Sequence, residues 1–289
     1  MKVLVIGGTG FTGSYVVSRL LQRNIQVRCL VRSTSDVSSL PVDQIELVYG
    51  DLDDQASVEK ALFETDALVN IASLGFGHAP TIVRACLSAG VRRAVFVSTT
   101  AIFTSLNAGS KKARVAAEEA IQKSDLVYTI IRPTMIYGSS RDRNMCRLIH
   151  YLRRFRIFPI IGTGRNLQQP VYVDDVAGAV MDALLSEKTL NQSYNIAGAD
   201  SLTFNQVVDT VSAQLNRSVY KLHIPVAPVI SGLGLAERLS IRLPIKVEQI
   251  QRLNEDKVFD YTAAQEDFGY HPRTFHEGIS LELQEMGIL

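Results

Sequence analysis

The sequence has little that would favour an extracellular, membrane-spanning or nucleic-acid-binding protein. Only three cysteines occur in 289 residues. Cys29, Cys86 and Cys146 are far apart and form no C-x-x-C pair, which argues against a disulfide framework and indicates buried, reduced thiols. The 30 basic and 29 acidic residues nearly cancel, so no overall charge attracts nucleic acid or an anionic membrane. We therefore expect no nucleic-acid partner.

No apolar stretch is long enough to span a bilayer. The most apolar late segment, Ile224 to Leu235, is short and is interrupted by two prolines and two glycines. The N-terminus enters a strand directly, without the features of a secretory signal. The histidines after residue 100 show no metal-ligand spacing. We expect a cytoplasmic protein with no membrane span and no metal site.

A strand, a glycine-rich turn and a helix follow one another at the start of the chain. Residues 2–6 are an apolar run, Gly7 to Gly13 has the spacing G-x-x-G-x-x-G, and apolar residues then recur at helical spacing. In this context a glycine triplet predicts a dinucleotide site, although a structural turn is the alternative. Gly7 permits a tight turn, Gly10 leaves room for a pyrophosphate, and Gly13 lets the helix pack closely. The helix N-terminus would then face the phosphates.

Short apolar strands alternate with predicted helices as far as Pro133. This alternation predicts an α/β fold, a Rossmann-type doubly wound parallel sheet with right-handed crossovers. We expect residues 1–140 to form a dinucleotide-binding domain, with 165–190 returning to the sheet. Residues 141–289 are expected to form mainly a smaller C-terminal substrate lobe, beginning with an amphipathic helix over Arg141–Arg156. Ligands of such sheets bind beyond the carboxyl ends of the strands, so those ends should line one cleft.

Five segments resemble motifs of the atypical and extended short-chain dehydrogenase/reductase superfamily, which includes nucleotide-sugar epimerases and dehydratases. They are Gly7 to Gly13, Gly50 to Leu52, Val97 to Thr100, Ile131 to Pro133 and Val171 to Val176. The resemblance covers nearly the whole chain and implies an NAD(P)-binding protein. The cofactor-binding residues predicted from the glycine turn, the strand ends and this resemblance are Gly7, Thr9, Gly10, Phe11, Thr12, Gly13, Arg32, Asp51, Leu52, Ala72, Ser73, Ser98 and Pro133.

Two of these residues bear on the adenosine end of the cofactor. An NAD site has an acidic residue at the end of the second strand, to bind the ribose 2′-hydroxyl. Here that position holds Arg32 followed by small hydroxyl residues, which suits a 2′-phosphate. We therefore predict NADP as cofactor, with NAD less favoured. The resemblance places Asp51 at the adenine, but the same residue could instead cap the helix beginning near Gln55.

The catalytic pattern of the superfamily is incomplete in this chain. That pattern is a Ser/Thr near the end of the fifth strand, then Tyr-x-x-x-Lys on the next helix. Thr99 fits the first position. The superfamily usually has a glutamate four residues after the lysine, and Glu118 matches that glutamate. Counting back from Glu118 places Arg114 at the lysine and Ser110 at the tyrosine. A serine lacks the acidity of a phenol and arginine stays protonated, so neither relays a proton. A shift of one helical turn would bring a lysine into reach but no tyrosine.

Other polar residues leave alternatives open. His78 could be a general base, although a histidine in the first turn of a helix is more often structural. The arginines between 141 and 156 could bind an anionic substrate or form the solvated face of a helix. Nucleotide-sugar enzymes typically carry an arginine shortly before the Val-Asp-Asp segment, where this chain has Gln168. In this respect the chain is more similar to the branch that includes the complex I accessory subunit and related NADPH-binding proteins.

Three interpretations follow from the sequence. The first, which we favour, is an NADP-dependent oxidoreductase acting on an unidentified small molecule, with proton transfer by Thr99, His78, water or the substrate. The second is a non-catalytic NADP(H)-binding sensor or assembly protein. The third is a nucleotide-sugar epimerase or dehydratase. A homodimer through the predicted helix Ser110–Lys123 is possible, although that helix carries many charges.

Overall fold

The computed structural model describes residues 1–106, 109–238 and 254–289. Its strands, in chain order, are β1 (Lys2–Ile6), β2 (Gln26–Val31), β3 (Glu46–Tyr49), β4 (Ala67–Asn70), β5 (Arg93–Val97), β6 (Val127–Pro133), β7 (Ile136–Tyr137), β8 (Ile157–Ile161), β9 (Leu167–Gln168), β10 (Val171–Tyr172), β11 (Gln192–Ile196), β12 (Leu202–Thr203) and β13 (Tyr220–Ile224). Its α-helices are α1 (Phe11–Gln22), α2 (Gln55–Leu62), α3 (Ala79–Ser88), α4 (Gly109–Gln122), α5 (Met145–Arg154), α6 (Val173–Leu185), α7 (Phe204–Gln214), α8 (Val226–Arg238), α9 (Thr262–Phe268) and α10 (Phe275–Glu285). Single turns of 3₁₀ helix lie at Leu74–Phe76, Thr100–Phe103 and Glu187–Thr189.

Within the described residues, seven strands form one parallel sheet in the order β3-β2-β1-β4-β5-β6-β11. The predicted doubly wound parallel sheet is thereby confirmed. The strand order reverses between β1 and β4, and in such sheets ligands bind at the carboxyl edge beside this point. β11 joins the sheet just beyond the predicted segment 165–190, whose helix α6 packs against α1.

Helices cover both faces of the sheet because alternate strand residues point to opposite sides. Val3 and Val5 pack with α1 and α6, whereas Leu4 and Ile6 pack with α2, α3 and α4. All four side chains are almost fully buried, and each such burial contributes roughly 1.5–3 kcal/mol. Cys29, Cys86 and Cys146 are unpaired and buried, as expected from the sequence.

A third core lies between α5, α7 and α10. We call the part of the chain packed around this core the second lobe. The predicted helix over Arg141–Arg156 is wrong in extent, since α5 runs only from Met145 to Arg154. Its start is fixed by Asp142, whose carboxylate accepts hydrogen bonds from the backbone N–H groups of Asn144, Met145 and Cys146. Phe155 is already extended and leads into β8.

Short strand pairs complete the second lobe. β8 pairs with β13, β7 pairs with β10, and β9 pairs with β12. Residues 239–253 of the predicted substrate lobe lie outside the described residues. In the part of the chain that the structure describes, no helix has both the length and the apolarity needed to cross a membrane.

Candidate functional site

The glycine turn between β1 and α1 brings backbone close to backbone. Gly7 has a φ of +83°, and a Cβ there would lie 2.7 Å from the backbone nitrogen of Ala72. A Cβ at Gly13 would overlap the carbonyl oxygen of Gly7. Gly10 occupies the N-cap of α1, where no side chain caps the helix and the first turn has no acidic residue. The N-terminus of α1 is therefore open to an anion.

Arg141 reaches the glycine turn from the second lobe, which the sequence did not predict. Its guanidinium donates to the carbonyl oxygen of Thr9 at 2.7 Å and to Ser14 Oγ at 3.1 Å. Phe11, beside them, packs edge-on against Tyr15. In the sequence Arg141 is only the first of several arginines, and nothing in its spacing singles it out. The contact joins Arg141 to the glycine turn and to the first turn of α1.

An exposed cation lies at the end of β2. The Arg32 side chain is exposed at the end of β2, and its guanidinium has no partner among the described residues. Asp36, farther along the same loop, accepts a hydrogen bond from the backbone N–H of Ser38. Backbone and side-chain hydrogen bonds from Ser38 lower the pKa of the Asp36 carboxyl. The end of β2 thus presents an exposed positive charge.

Asp51 and Leu52 follow β3 beside α2. The cap of α2 is Asp54, which accepts from the backbone N–H of Ala56 at 3.0 Å. The alternative role of Asp51 as this cap is therefore wrong. The exposed Asp51 carboxylate accepts from the N–H of Asp53. Leu52 packs half-buried against the core.

A cavity of about 390 Å³, which we call the niche, opens between the ends of β4, β5 and β6. It brings together seven of the predicted site residues. They are Thr12, Ser73, Ser98, Thr99, Ser110, Arg114 and Pro133. Ala72 lies next to this group, against Gly7. Ser73 also caps the 3₁₀ turn at Leu74–Phe76.

Several polar side chains of the niche have hydrogen-bond partners within the chain. Arg114 donates to Ser110 Oγ at 3.0 Å across one turn of α4. Thr99 Oγ1 accepts from the backbone N–H of Ala101 at 3.2 Å, and its hydroxyl hydrogen has no acceptor among the described residues. Among the described residues that line the niche there is no tyrosine. The geometry can orient a ligand, but it offers no phenol for proton transfer.

Behind the niche lies a buried charge pair. Glu118 on α4 is 4% exposed and binds Arg132 of β6 at 2.6 Å. Ser98 donates its hydroxyl hydrogen to the same carboxylate. Glu118 therefore ties α4 to the ends of β5 and β6, which sets the position of Ser110 and Arg114.

His78 lies outside the niche. It precedes α3, and its Nδ1 is 3.2 Å from a carboxylate oxygen of Asp53. It does not line the niche or the larger cavity described next. The position corresponds to the structural alternative for this histidine.

A second cavity of about 800 Å³, which we call the large cavity, adjoins the niche. The two share Thr99, Ala101 and Thr134. The second lobe supplies aromatic and aliphatic walls from α5, β8 and α7, and residues 255–259 close one side. Gln168, at the position of the expected diphosphate-binding arginine, lines this cavity and accepts from Lys257 Nζ at 3.4 Å. Sequence patterns gave no signal for residues 255–259.

The Val-Asp-Asp segment has a structural role. Asp174 pairs with Arg19 of α1 and with Arg273, and Asp175 pairs with Arg273. Burial raises the pKa of Asp175, although hydrogen bonding to Arg273 opposes that shift. These pairs join α1, α6 and the C-terminal segment beneath the cleft.

Two family descriptions match the chain. The family described as NAD(P)H-binding matches residues 7–151, which is half of the chain. The 3-beta hydroxysteroid dehydrogenase/isomerase family matches residues 107–201. The second match spans α4, β6 and the start of the second lobe.

Individual relatives align over most of the chain. The mitochondrial NADH dehydrogenase (ubiquinone) 1 alpha subcomplex subunit 9 of Arabidopsis thaliana is 25% identical, over 87% of this chain and 67% of that protein. The photosystem II assembly factor Ycf39 of Trieres chinensis is 25% identical, over 78% of this chain and 73% of that protein. The crystal structure of UDP-glucose 4-epimerase from Thermotoga maritima with UDP-glucose superposes with a TM-score of 0.76 and 19% identity, covering 99% of this chain and 98% of that one. At such identity the last comparison establishes a shared fold.

Proposed function

Because the chain belongs to the NAD(P)H-binding family, within the short-chain dehydrogenase/reductase superfamily, we propose that it is an NADP(H)-dependent oxidoreductase. The dinucleotide would lie along the carboxyl edge of the sheet, with its pyrophosphate on the glycine turn and its nicotinamide in the niche. The substrate, a small molecule, would occupy the large cavity. The observation that carries this proposal is the shared wall of the two cavities at Thr99, Ala101 and Thr134.

The glycine turn supports the pyrophosphate position. Gly10 caps α1 without a side chain, and the first turn of the helix has no carboxylate to repel a phosphate. Arg141 lies on Thr9 and Ser14 from the opposite side. It adds a cation to the same region and would screen phosphate charge.

Arg32 supports NADP over NAD. Its exposed guanidinium follows the strand at which NAD sites carry an acidic residue. We expect Arg32→Ala to weaken NADPH binding about ten- to a hundredfold, since a hydrogen bond to a charged group contributes about 1.5–3 kcal/mol. NADH binding should be unchanged. Titration calorimetry with both cofactors checks this, and an equal loss for both would contradict the 2′-phosphate role.

A ligand at the shared wall would meet both the nicotinamide and the hydroxyl of Thr99. Hydride transfer needs the two reacting carbons in contact, and adjoining cavities allow this. Thr99 is the residue to orient a carbonyl oxygen, because its hydroxyl proton is available. Ser110 and Arg114 would orient the ribose and nicotinamide but would not move the proton. The proton would then come from water or from the substrate itself.

The test of this function is turnover. The holo protein should consume NADPH with at least one member of a panel of aldehydes, ketones and enones. Thr99→Val should lower that rate by about tenfold or more with NADPH affinity retained, as expected for a lost transition-state hydrogen bond. Consumption that is identical in Thr99→Val would exclude Thr99 as the orienting group.

A second candidate is a binding protein whose dinucleotide occupancy controls a partner. The serine and arginine at the positions of the catalytic tyrosine and lysine favour it. So do the printed names of two relatives, a subunit of NADH dehydrogenase and a photosystem II assembly factor. Tight NADPH binding without turnover on the panel, together with a partner captured only in the presence of cofactor, would select this candidate.

A nucleotide-sugar epimerase or dehydratase is the remaining alternative, and the shared fold with UDP-glucose 4-epimerase supports it. Gln168 in place of the diphosphate-binding arginine argues against it. Thermal stabilisation by UDP- or dTDP-sugars would favour this alternative. Its absence, with turnover on carbonyls, would favour the oxidoreductase. Cytoplasmic location and homodimer formation remain predictions of the sequence.

A further inference from the structure

The large cavity has walls suited to an apolar ligand body. Its volume, about 800 Å³, is within the range of cavities that enclose drug-sized molecules. Aromatic rings pack around it in contact with one another. The ring centroids of Phe103 and Phe259 are 5.8 Å apart, those of Tyr151 and Phe158 5.3 Å, and those of Phe158 and Phe204 6.1 Å. Such walls stabilise a ligand by removing apolar surface from water.

The charges at the cavity are not balanced. Arg143 and Arg147 line it with exposed side chains, and neither has a hydrogen-bond or ion-pair partner among the described residues. Lys257 adds a third cation and contacts Gln168. Guanidinium groups without a carboxylate partner at a cavity rim favour binding of an anion.

The two acidic residues of the cavity are already satisfied. Glu255 accepts hydrogen bonds from Thr104 Oγ1 at 2.5 Å and from the backbone N–H and hydroxyl of Ser105 at 2.7 and 2.6 Å. Burial alone would raise the pKa of Glu255, but the hydrogen bonds from Ser105 and Thr104 outweigh it and lower the pKa. Asp256 accepts from the backbone N–H of Leu167 at 2.8 Å. Both carboxylates hold loops together, and neither forms an ion pair with Arg143 or Arg147.

We propose that the large cavity takes an amphipathic anion, with a bulky apolar body between the aromatic walls and one acidic group at Arg143 and Arg147. This inference rests on the proposed function, because the reacting carbon of that body must reach Thr99. It names a substrate class, an apolar carbonyl or alcohol that carries a single carboxylate or phosphate. A neutral molecule would leave the two guanidinium groups unused.

Four probes separate the contributions of charge and apolar body. They are decanoate, decyl phosphate, decanol and acetate, each titrated calorimetrically into the protein saturated with NADPH. We expect decanoate or decyl phosphate to bind at least about tenfold more tightly than decanol and acetate, since a charged hydrogen bond contributes over 1.5 kcal/mol. The stronger of the two anions identifies the acidic group. Equal affinity for decanol, or no binding of either anion, overturns the proposal.

Three variants locate the binding. Arg147→Gln should weaken the binding of decanoate and decyl phosphate about tenfold and leave the affinity for decanol unchanged. Arg153→Gln is the matched control, because Arg153 is exposed on the same helix but does not line the cavity. Leu148→Trp should fill part of the cavity and so weaken the binding of decanoate, decyl phosphate and decanol. The proposal is also overturned if Leu148→Trp leaves the affinity for the anions unchanged, or if Arg153→Gln lowers that affinity as much as Arg147→Gln does.

NADPH affinity, measured separately, keeps the two hypotheses apart. If NADPH does not bind, the proposed function fails, and the probes are then titrated into the cofactor-free protein with the same outcomes. If NADPH binds and the anions do not, only the present inference fails.

Discussion

The niche and the large cavity share a wall but are built differently. The niche is lined mostly by short side chains at the carboxyl ends of parallel strands, such as Ser73, Ser98 and Thr99. The large cavity is lined by long side chains from the second lobe and from residues 255–259. Strand ends are fixed by the sheet, so the shape of the niche follows largely from the backbone. The shape of the large cavity depends on how its side chains pack.

The buried carboxylates differ in the same way. Behind the niche, Glu118 is bound by Arg132 and Ser98. In the second lobe, Glu282 is fully buried and neither of its oxygens has a cationic partner among the described residues. Glu118 thus has a cationic partner, whereas burial raises the pKa of Glu282.

The largest effect on cofactor binding is expected at the glycine turn. Gly13→Ala places a Cβ against the carbonyl oxygen of Gly7, so the turn must shift. We expect NADPH affinity to fall roughly a hundredfold or more, which corresponds to about 3 kcal/mol. Gly178→Ala is the control, since a Cβ there meets nothing within 4 Å, and it should stabilise α6 by about 1 kcal/mol. Unchanged NADPH titration in Gly13→Ala would show that the turn is not the phosphate site.

The largest loss of stability from a single substitution is expected at the charge pair behind the niche. Glu118→Gln leaves the partly buried Arg132 without its carboxylate, and we expect the free energy of unfolding to fall by about 3–5 kcal/mol. Glu119→Gln, which removes only an exposed pair with Lys123, should cost about 0.5 kcal/mol or less. Urea denaturation of both variants measures the difference. A similar loss in the two would mean that Glu118 is not structurally special.

Restoring the family's catalytic pair would sharpen the contrast. Ser110→Tyr combined with Arg114→Lys places a phenol and a lysine at the niche, and general acid–base catalysis contributes about 10²–10⁴-fold. If missing proton transfer limits the wild type, NADPH turnover should rise by about a hundredfold. The single variant Arg114→Lys is the control and should not raise it. No gain in the double variant would indicate that another step or residue limits the rate.

The last prediction is a dependence of stability on pH. Burial, and then the neighbouring Asp142, raise the pKa of Glu282 from its ordinary value of 4.5 to about 10. Between these values the folded chain holds a proton that the unfolded chain has lost, so stability falls as pH rises. Glu282→Gln should flatten this slope and be more stable than the wild type near pH 9, by urea denaturation. Glu266→Gln, at an exposed site, should keep the wild-type slope. A steep slope in Glu282→Gln would assign it to another group.

Much of the fold was predictable because its signals are local. The glycine turn, the apolar strands and α4 follow from spacing within a few residues, and the parallel sheet follows from their alternation. The contact of Arg141 with the glycine turn was not predictable, because it depends on the second lobe being folded over the cleft and no local pattern encodes it. Asp142 fixes the start of α5 through hydrogen bonds from residues 144–146. That signal is local, and the prediction of a longer helix missed it. Residues 255–259 line the large cavity through contacts that are likewise distant in sequence, so no local pattern predicted them.

The most direct test of the account is a crystal structure with NADPH bound. We predict the pyrophosphate on Gly10 to Gly13, the 2′-phosphate at Arg32, and the nicotinamide against Thr99 and Pro133 with one face open to the large cavity. A nicotinamide ring directed into solvent, or an empty glycine turn with the dinucleotide elsewhere, would contradict it.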